Sequence, residues 1–562
     1  MKRSTKKALR IATAAVAGFG LLIGYLSYRN AQIARELDSE GVTTSAVVIG
    51  RHTEERTFHN RRRAPTQRQI TRIEYEFTVD GKTYRNDVSG LSGSGALQRG
   101  DRVQIVYAPD DPQTHRFVRN PDGTIRRLAR PKRRRELHAR DGFVMVALSW
   151  SLISLIGAVP FTASGAIPSY LDAVFETMSG FTTTGASILR AVEDLPKCLL
   201  FWRSFTHWLG GMGVLVFMLA IVPLSGESIY LLRAESPGPS VSKMVPKMRT
   251  SAAILYAIYC AMTLLQILFY RLGVLFGWGE ITWFDSLCLS FGTAGTGGFS
   301  VRNSGLADYS AYLQAVPTVF MVLFGVNFSV YFFLLRRRFR LAWHNSEVRW
   351  YFIIIFGAIV LISANLLFTG GFFPTVFQTI HHVAFSVGSV ITTTGFGTAD
   401  FAKWPEFSKT VLLILMAIGA CAGSTGGGMK VSRVLILSKT ARAETRHLLH
   451  PHSVEVMTMD GKRVSSEVIR GTMAFFICYA AIAVVSILLV SLDNFGAETS
   501  VTSVFATLNN IGPGLSLEVG PFGSYASFSA LSKVVLTLDM LLGRLELFPV
   551  LLLLSPATWR KH

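Results

Sequence analysis

The strongest constraint in the sequence is a recurrence. From residue 141 onward a long apolar segment is followed by a shorter helical segment, a turn rich in Gly and Thr, and a second long segment, and this unit comes four times. The turns read FTTTGAS (181–187), TAGTGGFS (293–300), ITTTGFG (391–397) and LNNIGPGLS (508–516). Their matching glycines, Gly185, Gly298, Gly395 and Gly512, lie 113, 97 and 117 residues apart. The apolar segments run to about 20 residues, the length a helix needs to cross a ~30 Å hydrocarbon layer. Units recurring in one orientation predict pseudo-fourfold symmetry about an axis along the membrane normal.

The expected fold class is therefore an α-helical membrane protein of four helix, pore loop, helix repeats, over residues 141–224, 249–340, 349–440 and 466–558, plus a small N-terminal β domain. Residues 1–40 hold a membrane helix and a linker. The apolar stretch 9–28 follows a basic tail and lacks a small-x-small cleavage site, so a retained helix is favoured over a signal peptide. Residues 41–125 change character: TSAVVIG, RQITRIEYEFTV, KTYRNDV and DRVQIVYA alternate as strands do, and Asp80-Gly81 fits a tight hairpin between two of them.

Composition narrows the function. Half of the residues are apolar and only 16% are charged. The net charge of +20 sits in short loops between apolar runs, where it orients a membrane protein, so lipid and not nucleic acid is the expected partner. The five cysteines, Cys198, Cys260, Cys288, Cys421 and Cys478, are widely spaced within apolar sequence and read as small hydrophobes. Arg203 and His207, one helical turn apart, read as packing or anchoring residues. His381 and His382 lack ligand partners at metal spacing. Gly210, Gly211 and Gly213 suit close helix packing better than a dinucleotide fingerprint. No constellation suggests an enzyme.

Chemistry follows from the turns. Dehydrating a monovalent cation takes a ring of oxygen dipoles, which four loops of backbone carbonyls can supply. The candidate ring residues are Thr182, Thr183, Thr184 and Gly185; Thr296, Gly297 and Gly298; Thr392, Thr393, Thr394 and Gly395; and Asn509, Asn510, Ile511 and Gly512. None is acidic, and glycine at positive φ lets successive carbonyls face one axis. The bland alternative, four helix breaks between ordinary spans, does not account for their matched positions. No turn reads GYG, which predicts a shorter and less strict filter than that of a potassium channel.

FWRSFTHWLGGMGV (201–214), ESPGP (235–239), GVNFSV (325–330), GACAGSTGGGMK (419–430) and LLGRLELFPVL (541–551), with the four turns, resemble the TrkH/KtrB potassium uptake family over roughly residues 141–556. The resemblance implies potassium as the transported ion, no covalently bound cofactor, a homodimer, a separate cytosolic nucleotide-binding regulatory subunit and a bacterial inner membrane. In that family Gly rather than Ser in the first turn goes with potassium, and Gly185 is Gly. Two departures stand out: a single helix and a β domain replace the usual extra helix pair, and Gly297 stands where the other turns have Thr184, Thr394 and Ile511. Other readings are a sodium-permeable or weakly selective channel, and a transport-silent receptor or assembly subunit.

Two features are candidates for a gate. The stretch from Gly419 through Gly423, Ser424, Thr425, Gly426, Gly427 and Gly428 is too rich in Gly, Ser and Thr for a lipid-facing helix and reads as an intramembrane loop. Gly423 to Gly428 has the spacing of a phosphate loop, but Met429 follows where Lys should. Arg544, inside the last apolar segment, has Met540, Leu541, Leu547 and Phe548 as helical neighbours and must find its partner elsewhere, with the carbonyls of the 419–428 loop as candidates. The resemblance places a matching Arg in the permeation path. The basic loops at Arg336 to Arg340 and at 430–462, with the run from Arg126 to Arg140, predict that the β domain is cytosolic.

Overall fold

The computed structural model describes residues 43–60, 63–79, 82–89, 97–108, 111–117, 127–128, 139–213, 248–450 and 457–559. The apolar segment 9–28, the Asp80-Gly81 turn, residues 214–224 and the ESPGP segment lie outside them. The chain forms two compact units, one a sheet and one a helical bundle.

In the first unit β1 (Thr43–Asn60), β2 (Arg63–Val79), β3 (Lys82–Ser89), β4 (Arg102–Ala108) and β5 (Asp111–Phe117) form an antiparallel sheet in the order β3-β2-β1-β4-β5, and β6 (Arg127–Leu128) also pairs with β4. Val79 lies opposite Lys82 at the end of the antiparallel pairing of β2 with β3. Alternate side chains (Ala46 and Val48, Ile73, Tyr75 and Phe77, Val103 and Ile105) are buried together with Leu97, as the period of two requires. β5 and β6 were not legible: DPQTHRF is an outer strand with no apolar alternation.

The second unit carries the recurrence. Its first repeat is α1 (Ala139–Ala163), α2 (Tyr170–Phe181) and α3 (Lys197–Gly211). The second is α4 (Met248–Leu275), α5 (Trp283–Ala294), α6 (Ala311–Phe324) and α7 (Phe328–Leu335); α8 (Phe339–Trp343) leads to the third, α9 (Ser346–Thr369), α10 (Val376–Ile391), α11 (Glu406–Ile418) and α12 (Val431–Leu449). A small hairpin, β7 (Thr458–Met459) and β8 (Lys462–Arg463), precedes α13 (Ser466–Val490), α14 (Ala497–Leu508), α15 (Ala530–Arg544), α16 (Phe548–Leu554) and α17 (Pro556–Trp559).

Among the described residues four helices are long and apolar enough to cross a membrane: Phe143–Ala163, Ala253–Leu275, Ser346–Thr369 and Ser466–Asp493, with mean hydropathy 2.0, 1.8, 2.5 and 2.7. Each opens one repeat. Their outer faces stay apolar without protein cover. On α9, Tyr351, Ile355, Ile362 and Leu366 are buried while Ile353, Phe356, Val360 and Phe368 are exposed, the pattern of a helix solvated by lipid.

The second helices of repeats two and four are where the structure departs from expectation. An interruption was expected in repeat three alone, yet α6 and α7 meet at 91° across Gly325–Asn327, and α15 stops at Arg544 because Glu546 and Leu547 take positive φ. Asn327 starts α7 by accepting the Ser329 amide at 2.9 Å, and Pro549 opens α16. Arg544 is thus the last residue of its helix and not an interior one, a place where a cation meets the negative end of the helix dipole.

Candidate functional site

The short helix of each repeat ends in the same structure. Ser169, Thr282 and Thr375 cap the N-termini of α2, α5 and α10 by accepting the amides of Asp172, Asp285 and Gln378. At the C-termini Thr183, Thr296, Thr393 and Asn510 adopt left-handed φ of 57°, 53°, 58° and 55°. The next residue then donates to the carbonyl five back: Thr184 to Ser179, Gly297 to Gly292, Thr394 to Ser389 and Ile511 to Ala506, each at 2.8 Å. This is a Schellman closure repeated four times. Three of the four left-handed residues are threonines, whose β-branch disfavours that conformation, so the surrounding structure must impose it.

Gly185, Gly298, Gly395 and Gly512 follow, at φ 82°, 77°, 84° and 97°. A Cβ on Gly185 would overlap the carbonyl oxygen of Gly297; on Gly298, that of Thr394; on Gly395, that of Ile511; and on Gly512, that of Thr184. Repeat one therefore nests on two, two on three, three on four, and four back on one. The ring closes, and its four glycines together line one cavity of about 240 Å³. All fifteen residues expected in the ring lie in these turns.

Side chains behind the backbone hold the ring. Thr182 and Thr184 are linked through their hydroxyls at 2.8 Å, as are Thr392 and Thr394 at 2.7 Å. Asn510 donates to Thr184 Oγ1 of repeat one at 2.9 Å and to the Met540 carbonyl at 2.8 Å, and the Tyr525 hydroxyl donates to the Gly512 carbonyl at 2.8 Å. Gly295, which caps α5 where Thr182, Thr392 and Asn509 cap the others, was missed; aligning the turns on their glycines would have found it. Four helix C-termini converge here, so four negative dipole ends face the ring, an arrangement that favours a cation.

Beneath the ring the broken second helices meet. The 419–428 loop turns at Gly419, Gly423 and Gly428, all at positive φ, and its neck closes backbone on backbone: a Cβ on Gly419 would stand 2.9 Å from Gly428 Cα. Glu347 Oε1 holds the neck by accepting the amides of Ala422 at 2.7 Å and Ser432 at 3.0 Å. The tip touches the ring, with the Gly427 amide donating to Thr393 Oγ1 at 2.6 Å, and Lys430 Nζ donates to the Gly426 carbonyl. The repeat-two break joins in: Cys421 donates to the Gly325 carbonyl at 3.1 Å and Phe328 to that of Gly423 at 3.0 Å.

Arg544 completes this lower ring. Its guanidinium donates to the Thr425 carbonyl at 2.9 Å, within the expected loop, and to the carbonyls of Gly210 and, at 2.9 Å, Gly211. Repeats one, three and four are thereby tied through one side chain. Gly210 and Gly211 also pack closely as expected, since a Cβ on Gly210 would overlap the Phe181 carbonyl. Their carbonyls, the break at Gly325–Asn327, Lys430 and Glu347 were not among the predicted site residues. His381 and His382 pair with Gln314 at 2.8 Å and Thr398 at 3.1 Å.

Among the described residues, the four helices long and apolar enough to cross a membrane, the four short helices that follow them and the closed ring of backbone turns define a multi-pass membrane protein built of helix, pore loop, helix repeats. A profile described as "Cation transport protein" (TrkH) matches residues 123–561, and the chain belongs to the TrkH family. It is 35% identical over 444 residues to the Trk system potassium uptake protein TrkH of Halomonas elongata, covering 78% of this chain and 90% of that one. Against the protein of the same name from Escherichia coli the identity is 35% over 435 residues, with 76% and 88% covered. The crystal structure of the potassium transporter TrkH from Vibrio parahaemolyticus superposes with a TM-score of 0.67 at 32% identity, covering 77% of this chain and 88% of that one. Residues 44–122 match a separate profile, a domain of unknown function (DUF3592). The family is one of transport proteins, not of enzymes.

Proposed function

We propose that this protein takes up potassium across the cytoplasmic membrane through the ring of four turns. The observation that carries the reading is the closure of that ring: each of four glycines, at positive φ, seats against a carbonyl of the following repeat. Backbone carbonyls there replace the hydration shell of the ion, and the converging helix ends offset its charge in a water-poor site. The relatives named as potassium uptake proteins support the choice of ion. Rubidium uptake into proteoliposomes, competed by potassium and not by sodium, tests it; equal competition by the two would leave a weakly selective cation pore instead.

The lower ring is the gate in this reading. The 419–428 loop blocks the path beneath Thr393, and Arg544 ties it to Gly210 and Gly211. Residues 141–224, 249–340, 349–440 and 466–558 are the four repeats, and 41–125 a β domain on the cytosolic side. Loop charge supports that side, since Arg336, Arg337, Arg338 and Arg340 follow α7, away from the turn of their repeat. The homodimer and the cytosolic nucleotide-binding regulatory subunit implied by the resemblance belong to the same proposal; the mass of the purified complex and co-purification from the membrane test both.

A further inference from the structure

We infer that Arg203 and His207 of α3 are positioning residues that set ion selectivity, by locking the second filter turn against the first pore helix. The inference rests on the reading of the four turns as the filter. His207 stands between two repeats: its Nδ1 lies 2.8 Å from the Gly180 carbonyl of α2, and its Nε2 accepts the Phe299 amide at 3.2 Å. An amide can only donate, so Nε2 is the acceptor and the ring proton is on Nδ1, donated to Gly180. The imidazole is fully buried and packs on the Phe299 ring, with centroids 4.2 Å apart. Phe299 directly follows Gly298, so this bond fixes where the filter strand of repeat two leaves the ring.

Arg203, one helical turn earlier, holds the next residue. Its Nη1 donates to the Ser300 carbonyl at 2.9 Å, its guanidinium lies 3.6 Å from the Phe299 ring centroid, and its Nε pairs with Glu176 Oε1 at 2.5 Å. Both members of that ion pair are almost wholly buried, at 4% and 0% exposure, where an unpaired charge would be costly. Glu176 in turn accepts the Ser187 hydroxyl at 3.0 Å and the Ile188 amide at 3.0 Å, just past Gly185. The strands leaving the first and second turns are therefore fastened to one buried Glu176–Arg203 pair, with His207 beside it.

The same geometry explains Gly297. A Cβ at 297 would stand 2.3 Å from His207 Cγ and Nδ1, a clash with the ring, so repeat two has no side chain where repeats one and three have Thr184 and Thr394. Those threonines brace their turns from within, through Thr182 and Thr392. In repeat two the brace comes from repeat one, as an imidazole filling the vacated space. Residues 207 and 297 are then a matched pair, and changing either alone should loosen or crowd the turn.

The test is the ratio of rubidium to sodium uptake in proteoliposomes, with Gly185→Ser as the control for the filter reading. His207→Ala should lower the ratio by about five- to tenfold, the scale of one lost hydrogen bond, with the larger effect on sodium leak. His207→Asn, which can keep the donor to Gly180, and His207→Gln, which can keep the acceptor for Phe299, should fall between; they also serve if the alanine variant does not reach the membrane. Gly297→Thr alone should lose uptake, and His207→Ala with Gly297→Thr should regain part of the ratio. A parental ratio in all His207 variants, while Gly185→Ser lowers it, would overturn the inference and leave the filter standing. A parental ratio in Gly185→Ser as well would overturn both.

Discussion

Replacing Arg544 separates two ways in which one cation can obstruct a cation pathway. As a tie, it holds the loop through the bond to Thr425 and anchors it on Gly210 and Gly211 of repeat one. A hydrogen bond from a charged donor contributes about 1.5 to 3 kcal/mol, and 1.4 kcal/mol is about tenfold in an equilibrium. Losing the bond to Thr425 should therefore shift the loop toward release by roughly ten- to a hundredfold. Rubidium uptake by Arg544→Gln, normalised to protein in the membrane and measured without any regulatory partner, should rise by up to that factor until the ring itself limits flux. As a bare charge, Arg544 would act through repulsion, and Lys would serve equally well. Lysine cannot reach two sets of carbonyls with a planar fork, so Arg544→Lys should resemble the Gln variant if the tie matters and the parent if only charge does. Parental uptake in Arg544→Gln and Arg544→Ala at equal abundance would refute the assignment of this residue to the barrier.

Gly185→Ser and Gly395→Ser each place a Cβ on a neighbouring carbonyl and add about 1 to 2 kcal/mol of left-handed strain, so potassium over sodium uptake should fall in both; unchanged selectivity would remove the carbonyl ring. Glu347→Ala frees two amides at the neck of the loop and should raise uptake, Glu347→Gln less so because an acceptor oxygen remains; equal rates in both and in the parent would show that the neck does not hold the barrier. Deleting residues 424–427 should raise flux without abolishing selectivity, as isotope competition would show. In a background lacking the five cysteines, Arg85→Cys on the exposed side of β3 should resist a membrane-impermeant thiol reagent in intact cells and react after lysis; labelling of intact cells would put the β domain outside.

The recurrence of FTTTGAS, TAGTGGFS, ITTTGFG and LNNIGPGLS was enough to place four short helices, four turns and the glycines that close the ring, because each unit builds its own Schellman closure from residues within five positions. Apolar length likewise placed α1, α4, α9 and α13. The breaks at Gly325–Asn327 and after Arg544 were hidden for a physical reason. FSVYFFLL and FPVLLLL continue the apolar run, and only Asn327, Pro549 and two left-handed residues mark where the axis turns. The loop 419–428 was visible because its composition alone is incompatible with lipid.

What composition and period could not supply is the set of contacts that make the four repeats unequal. Asn510 reaches Thr184 across 326 residues, Arg544 reaches Gly210 across 334, and His207 reaches Phe299 across 92. Each joins different repeats, so none leaves a local signature; each shows in one repeat only as an anomaly. Gly297 is such an anomaly, a missing side chain in a fourfold pattern, and its cause is an imidazole ninety residues upstream. A departure from internal symmetry is thus informative in its own right: in a ring built by repetition, the position that breaks the pattern is where another repeat has taken over the packing.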